Sequence, residues 1–241
     1  MMMLLIKIHK SGIYLAFLTG IILVHSLSCK KKDENADFIN FNPNITYGII
    51  MDQDGNIYNT VTIGNQTWMA ENLRVTIYRN GDTIQNITDT LWDDLITGAY
   101  CNYNNEKNLH KGGRLYNWYA VNDPRSIATK GWHITSDSEW TALTTYLGEE
   151  NAGGKLKEAG LAHWSSPNAG ADNSSGFSAL PAGARYGQNF FFGSGMSTGY
   201  WSSTEVDSTD AWHRGLSSNY EKVGRYFNNK TLGFSVRCIK D

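Results

Sequence analysis

The apolar and polar positions divide the chain into an apolar N-terminal run, a short polar stretch and a long remainder in which the two alternate. The apolar run covers Ile13 to Val24 and follows Lys7 and Lys10. It is shorter than the about 20 residues that a membrane-spanning helix needs. Because a cationic start followed by a short apolar stretch is typical of a secretory signal, we predict a signal peptide over residues 1–28.

Cys29 directly follows the predicted signal peptide. A cysteine after small residues at a cleavage site is similar to a bacterial lipobox, whose cysteine is acylated. A lipobox usually has Leu three positions before the cysteine, where this chain has Ser26, so cleavage at a nearby ordinary site is the alternative. Residues 30–46 are polar and aperiodic, and with Cys29 they predict a flexible tether over residues 29–46. We therefore expect an exported protein, held by a lipid anchor at the outer membrane or cell surface.

The remainder, residues 47–241, begins with patterns typical of β-hairpins. Alternating apolar residues flank a polar turn and predict a hairpin over residues 47–63 with its turn at residues 52–56. A second hairpin is predicted over residues 75–84, because Asn-Gly at residues 80–81 favours a tight turn.

Helical spacing is clearest after Ser136, which forms a predicted capping box with Glu139. Three apolar residues recur on one face of this helix: Trp140, Leu143 and Leu147. Gly148 is expected to end the helix. A second helical piece is predicted over residues 154–159, and residues 113–121 fit either a short buried helix or a strand.

The C-terminal part combines a long irregular region with short strands. Residues 163–199 are rich in Gly, Ser and Asn and predict a loop region of functional length. Four strands are predicted after it: residues 200–204, 211–216, 223–227 and 233–239. The length of residues 47–241 is that of a single domain with a sizeable core.

Composition narrows the class of protein further. Removal of the signal peptide leaves 19 basic against 23 acidic residues, a formal charge of −4, so we expect no nucleic-acid partner. The 24 Gly, 8 Trp and 13 Tyr indicate a turn-rich domain with much aromatic packing. Cys101 and Cys238 are the cysteines after Cys29, and in an exported chain they predict a disulfide, with two buried free thiols as the alternative.

Seven segments resemble a known family: DQDGNIYNTVTIGNQTWMAENLR (52–74), GRLYNWYAV (113–121), GWHITSDSEW (131–140), AGGKLKE (152–158), SGFSALPAG (175–183), YWSSTE (200–205) and GFSVRCIKD (233–241). The resemblance is to the Fibrobacter succinogenes major paralogous domain and covers nearly all of residues 47–241. It implies an exported protein or lipoprotein of Bacteroidetes-type bacteria and no established biochemical activity.

A wider resemblance is to the C-type-lectin-like fold shared with formylglycine-generating enzymes. It rests on residues 135–140 and on the closing segment 233–237. It implies an α+β fold, with a twisted antiparallel sheet flanked by two main helices, long irregular loops, and pairing of the first strand with the last. The reactive cysteine pair of the formylglycine-generating enzymes is not matched, so their catalysis is not implied.

The sequence also bears on whether the chain has a metal site or a catalytic site. Residues 166–168 and 201–203 lack the ligands of calcium-type lectins, which leaves calcium only through other residues: Asp172, Asn173 and Glu205. No metal site or cofactor is therefore predicted. The chain has no His-Glu-x-x-His motif, and no catalytic residue is assigned.

The predicted ligand-binding candidates lie in the loop region and the strand ends next to it. They are Trp164, Asn168, Asp172, Asn173, Trp201, Glu205, Trp212, His213 and Arg214. An exposed indole stacks on a sugar face, although burial in the core is the expected fate of most Trp side chains. The leading hypothesis is a noncatalytic envelope lipoprotein that binds a glycan, peptide or surface protein. The alternatives are an enzyme acting on glycans or exported proteins through Glu205, Asp207 and His213, and a purely structural envelope protein.

Overall fold

A computed structural model of the chain describes residues 38–107, 112–187 and 189–241. They belong to one compact unit that spans residues 33–241. The predicted signal peptide and Cys29 lie outside the described residues. Within the described ranges, no helix has the length and apolarity that crossing a membrane requires.

Strands dominate the described residues, and the helices are short. The strands are β1 (Gly48–Met51), β2 (Ile57–Ile63), β3 (Gln66–Met69), β4 (Gln85–Asn86), β5 (Ala99–Cys101), β6 (Leu115–Tyr116), β7 (Trp132–Ile134), β8 (Ala182–Arg185), β9 (Phe191–Ser194), β10 (Ser197–Glu205), β11 (Asp210–Ser217), β12 (Gly224–Asn229) and β13 (Cys238–Lys240). The α-helices are α1 (Trp118–Val121), α2 (Asp137–Leu147) and α3 (Ala152–Leu156), and 3-10 helices cover Thr90–Asp94 and Tyr103–Asn105. The predicted α+β class is confirmed.

The strands form three sheets, in the orders β1-β2-β3-β13-β7, β12-β11-β10-β8-β9 and β4-β5-β6. The expectation of one antiparallel sheet was therefore wrong, and β8 and β10 pair in parallel. β13 pairs with β3 and β7 rather than with β1, so the first and last strands share a sheet without touching. β1 and β2 form the predicted hairpin. Its turn is closed by Asp52, whose carboxylate accepts bonds from the N–H groups of Asp54 and Asn56.

Helix α2 begins as its sequence predicts. The hydroxyl of Ser136 accepts a bond from the N–H of Glu139, whose carboxylate accepts one from the N–H of Ser136, so both groups of the capping box are satisfied. Gly148 ends the helix. Trp140 is buried against Trp68 with ring centroids 4.9 Å apart, and this contact joins α2 to the first sheet.

Two predicted boundaries need correction. The region 163–199 is not one loop, because it contains β8, β9 and the start of β10. The predicted tether is docked at its C-terminal end: the N–H of Asn40 donates to Glu158 Oε1 at 2.7 Å, and the ring of Phe41 packs edge-on against Tyr47 at 5.0 Å. The domain therefore begins several residues before residue 47.

The predicted disulfide is absent. Cys101 and Cys238 are both free and buried, on β5 and β13, which belong to different sheets. Burial raises the pKa of the Cys101 thiol to about 11 and that of Cys238 to about 12, so both remain protonated at neutral pH. The alternative of two buried free thiols is the one that the structure supports.

Candidate functional site

A cleft of about 840 Å³ lies along the second sheet at its edge strand β12. Its lining comes from β10, β11, β12 and α2, together with Tyr186 and Phe234. Successive side chains of a strand point to opposite faces of the sheet, so the lining belongs to two separate surfaces. One surface faces α2, and the other carries the ring of Tyr226.

The charged lining residues lie on the surface that faces α2. Arg214 and Arg225 both bond to the carboxylate of Asp137, the first residue of α2. Lys222 Nζ lies 2.7 Å from Glu150 Oε1, just after the helix. The guanidinium of Arg225 also lies 3.4 Å above the ring centre of Trp212, one of the predicted ligand residues. Arg214 thus holds the sheet to α2, while Trp212 packs against Arg225 and Phe227 of the same sheet.

The opposite surface has a row of glycines across three neighbouring strands. Gly199 on β10 is opposite Gly215 on β11, which is opposite Gly224 on β12. A Cβ at Gly224 would overlap the ring of Tyr226, and one at Gly215 would lie 3.2 Å from Tyr226 Cε2. The ring of Tyr226 therefore occupies the space that side chains would fill. The ring lies over these glycines, and Tyr226 is exposed.

Four rings follow one another across this surface, and we call them the aromatic row: Tyr226, His213, Phe234 and Tyr186. Successive ring centroids are 5.7, 4.4 and 6.1 Å apart. His213 and Phe234 in the middle are buried, whereas Tyr226 is 56% exposed and Tyr186 is 44% exposed. The row therefore has one exposed aromatic ring at each end and two buried rings between them.

His213 is neutral at physiological pH. Burial lowers its pKa to about 4, and the positive charge of Arg214 acts in the same direction. Its Nε2 lies 2.7 Å from the side-chain nitrogen of Asn228, which also lines the cleft. With that amide as donor, Nε2 accepts and the ring proton is on Nδ1. His213 thus contributes a fixed, uncharged ring to the row.

Four predicted ligand residues lie elsewhere. Trp164 is buried and donates from Nε1 to the carbonyl of Ala179 at 2.9 Å. Asn168 and Asn173 are also buried, and their side chains bond to neighbouring loops. The carboxylate of Asp172 accepts a bond from the N–H of Ser174 at 2.8 Å. These side chains fix the loop structure rather than forming a binding surface.

Trp201 and Glu205 are likewise not part of the cleft. Trp201 is buried in the core, where its Nε1 donates to the carbonyl of Tyr116 at 2.9 Å. Glu205 pairs with Lys230 at 3.0 Å, and Lys230 also donates to the backbone carbonyl of Asp207. His213 bonds instead to Asn228, so the structure does not bring the three residues of the enzyme hypothesis together in the cleft.

The residues suggested for calcium are also dispersed. Asp172 and Asn173 bond within their own loop, while Glu205, the last residue of β10, pairs with Lys230. In the described part of the chain, no group of three or more His, Cys, Asp or Glu side chains is arranged to hold a metal ion.

Sequence reasoning found one member of the aromatic row, His213, and missed the others. Tyr226 and Gly224 carried a usable signal, because residues two apart in a strand share a face and a glycine beside an aromatic ring allows it to lie flat. Tyr186 and Phe234 meet only through long-range pairing: single bridges join Phe234 to Tyr116 and Gly233 to Arg185. No local pattern shows that placement.

Comparison with known proteins places the chain in a family. The sequence profile of the Fibrobacter succinogenes major domain matches residues 61–240, a range that includes α2 and the whole aromatic row. Neither the curated proteins nor the solved structures gave a match. Since the profile covers most of the chain, the protein belongs to the Fibrobacter succinogenes major domain family.

Proposed function

We propose that this protein is a noncatalytic, lectin-like module that binds a glycan on the aromatic row. The observation that carries the proposal is the exposed ring of Tyr226 over Gly215 and Gly224. A sugar ring has a face of C–H groups that packs on an aromatic ring, and hydroxyls that bond to nearby amides such as that of Asn228. The C-type-lectin-like resemblance of residues 135–140 and 233–237 supports the same role.

The other functions considered find less support. Glu205 and Asp207 contact Lys230 rather than His213, so an enzyme would need a different set of groups. A purely structural role gives no reason for two exposed tyrosines beside a row of glycines. Glycan binding accounts for both features.

A binding screen tests the proposal. The full-length protein in mild detergent is applied to immobilised bacterial and plant polysaccharides, beside the Tyr226→Ala variant. We expect retention on at least one polysaccharide and about a tenfold loss of affinity in the variant, since buried aromatic contacts are typical hot spots. Tyr146→Ala is the matched control, because Tyr146 is 67% exposed and lies outside the cleft. Equal binding by both variants would contradict the proposal.

We further propose that Cys29 is acylated and displays the domain at the outer membrane or cell surface. Metabolic labelling with a fatty-acid probe should be lost in Cys29→Ala. Ser26→Leu restores the usual lipobox residue and should label at least as strongly as the natural sequence. Unchanged labelling of Cys29→Ala would show that the anchor lies elsewhere.

A further inference from the structure

We infer that the ligand of the aromatic row is an uncharged, extended glycan that stacks on Tyr226 and Tyr186 at once. The inference rests on the proposed function and narrows its ligand class. It predicts weaker binding of two related classes, acidic polysaccharides and single sugar residues. The first expectation follows from the charges around the row, and the second from the spacing of its exposed rings.

The described lining on the side of the row has no charged group. Its polar members are Asn228, the neutral ring of His213, the two tyrosine hydroxyls, and Ser197 and Ser217 at the ends of β10 and β11. Two cations of the cleft, Arg214 and Arg225, project to the other face and are bound to Asp137, and Lys222 pairs with Glu150. A carboxylate or sulfate that entered the row would lose water without gaining an opposite charge, which costs free energy. Neutral hydroxyls meet no such penalty.

The row is also too long for one sugar residue. Its two exposed rings stand at opposite ends, and between them lie the two buried rings, with successive centroids 5.7, 4.4 and 6.1 Å apart. A single sugar packs on Tyr226 or on Tyr186, but not on both. An oligosaccharide reaches both, and the second contact is gained without a second loss of translational freedom. Affinity should therefore rise with chain length until both tyrosines are covered.

Calorimetry on the full-length protein tests both parts. The ligands are glucan, mannan and galactan oligosaccharides from monosaccharide to hexasaccharide, each beside the uronic-acid oligomer of the same length. We expect a neutral series to bind, with affinity rising with length, and its acidic counterpart to bind at least about tenfold more weakly. Tyr186→Ala should remove the gain from length and leave the affinity of the shortest bound ligand unchanged.

The possible results separate this inference from the proposed function. Acidic oligomers that bind as tightly as neutral ones would overturn the neutral class but keep glycan binding. A neutral series with no dependence on length would overturn simultaneous stacking. Binding of neither series by the folded protein would overturn the proposed function itself. Tyr146→Ala should bind like the natural sequence, since that residue is outside the cleft.

Discussion

At the scale of single residues, the proposed site depends on Gly224, which leaves room for the ring of Tyr226. Gly224 has no Cβ, and the ring of Tyr226 fills that space. Gly224→Ala would place a methyl group in the space that the ring of Tyr226 occupies and would force the ring to move. We expect glycan affinity to fall by about tenfold, as in Tyr226→Ala, with cooperative unfolding retained. Calorimetric binding and a thermal unfolding scan measure the two effects.

The double variant is the control for this interpretation. Once Tyr226 is Ala, no ring lies over residue 224, so adding Gly224→Ala should cost no further affinity. A further loss in the double variant would mean that Gly224 acts on the ligand or on the fold by another route.

His213 gives a prediction for the pH dependence of stability. Its folded pKa of about 4 lies below its ordinary value of 6.5, so the unfolded chain binds the proton more readily. The stability present above pH 6.5 is therefore lost as pH falls through about 4, by at most about 3 kcal/mol. Denaturant titrations at pH 7 and about pH 4.5 measure this difference. His213→Gln should reduce the loss, and an unchanged loss would assign the acid sensitivity to other groups.

At the scale of elements, the contact between α2 and β11 depends on Asp137. It bonds to Arg214, whose side chain is 3% exposed, and to Arg225, whose side chain is 48% exposed. Removing Asp137 leaves the buried Arg214 without its carboxylate. We expect Asp137→Ala to lower the free energy of unfolding by about 3 kcal/mol or more, because an uncompensated buried charge is costly.

Arg225→Ala is the matched comparison for that variant. It removes an exposed partner of the same carboxylate and should cost less than about 1 kcal/mol. Denaturant unfolding of both variants gives the two values. Equal losses would mean that Asp137 acts only as an exposed pair with Arg225.

The elements also show which parts of the fold can be predicted from the sequence. Helix α2 was predicted because its start signal and its apolar spacing are local. Strand β8 was not predicted, because its contacts are with residues far away in the sequence. Arg185 donates to the carbonyls of Ile87 and Asp89. The docked end of the tether was missed for the same reason, since Asn40 bonds to Glu158, 118 residues away. A local sequence pattern carries no information about partners that lie far away in the sequence.

At the scale of the whole molecule, the tryptophans show how burial differs among the aromatic rings that the sequence contains. Trp164 and Trp201 were candidates for sugar stacking, yet both are buried and donate to backbone carbonyls. A buried indole N–H needs one acceptor, and backbone carbonyls supply it for these two residues. The domain uses these large rings for its core and leaves smaller rings, Tyr186 and Tyr226, for the surface. Sequence alone shows where the rings occur but not which of them are buried.

The same packing predicts how the whole molecule responds to thiol reagents. Cys101 and Cys238 are buried in different hydrophobic clusters, and burial keeps both thiols protonated. A thiolate is the reactive species, so we expect slow alkylation of both in the native protein, at a rate set by unfolding, and fast alkylation in denaturant. Peptide mapping of the labelled protein separates these two sites from Cys29.

Reductant provides the complementary measurement on the unmodified protein. Since the chain has no cross-link between Cys101 and Cys238, reductant should change neither the Tm nor the electrophoretic mobility. The stability must then come from the apolar clusters and from buried polar links such as Arg237, which donates to the carbonyls of Met69 and Phe177. A Tm that falls on reduction, together with loss of a cross-linked peptide, would show that Cys101 and Cys238 form a disulfide and would contradict this account of the fold.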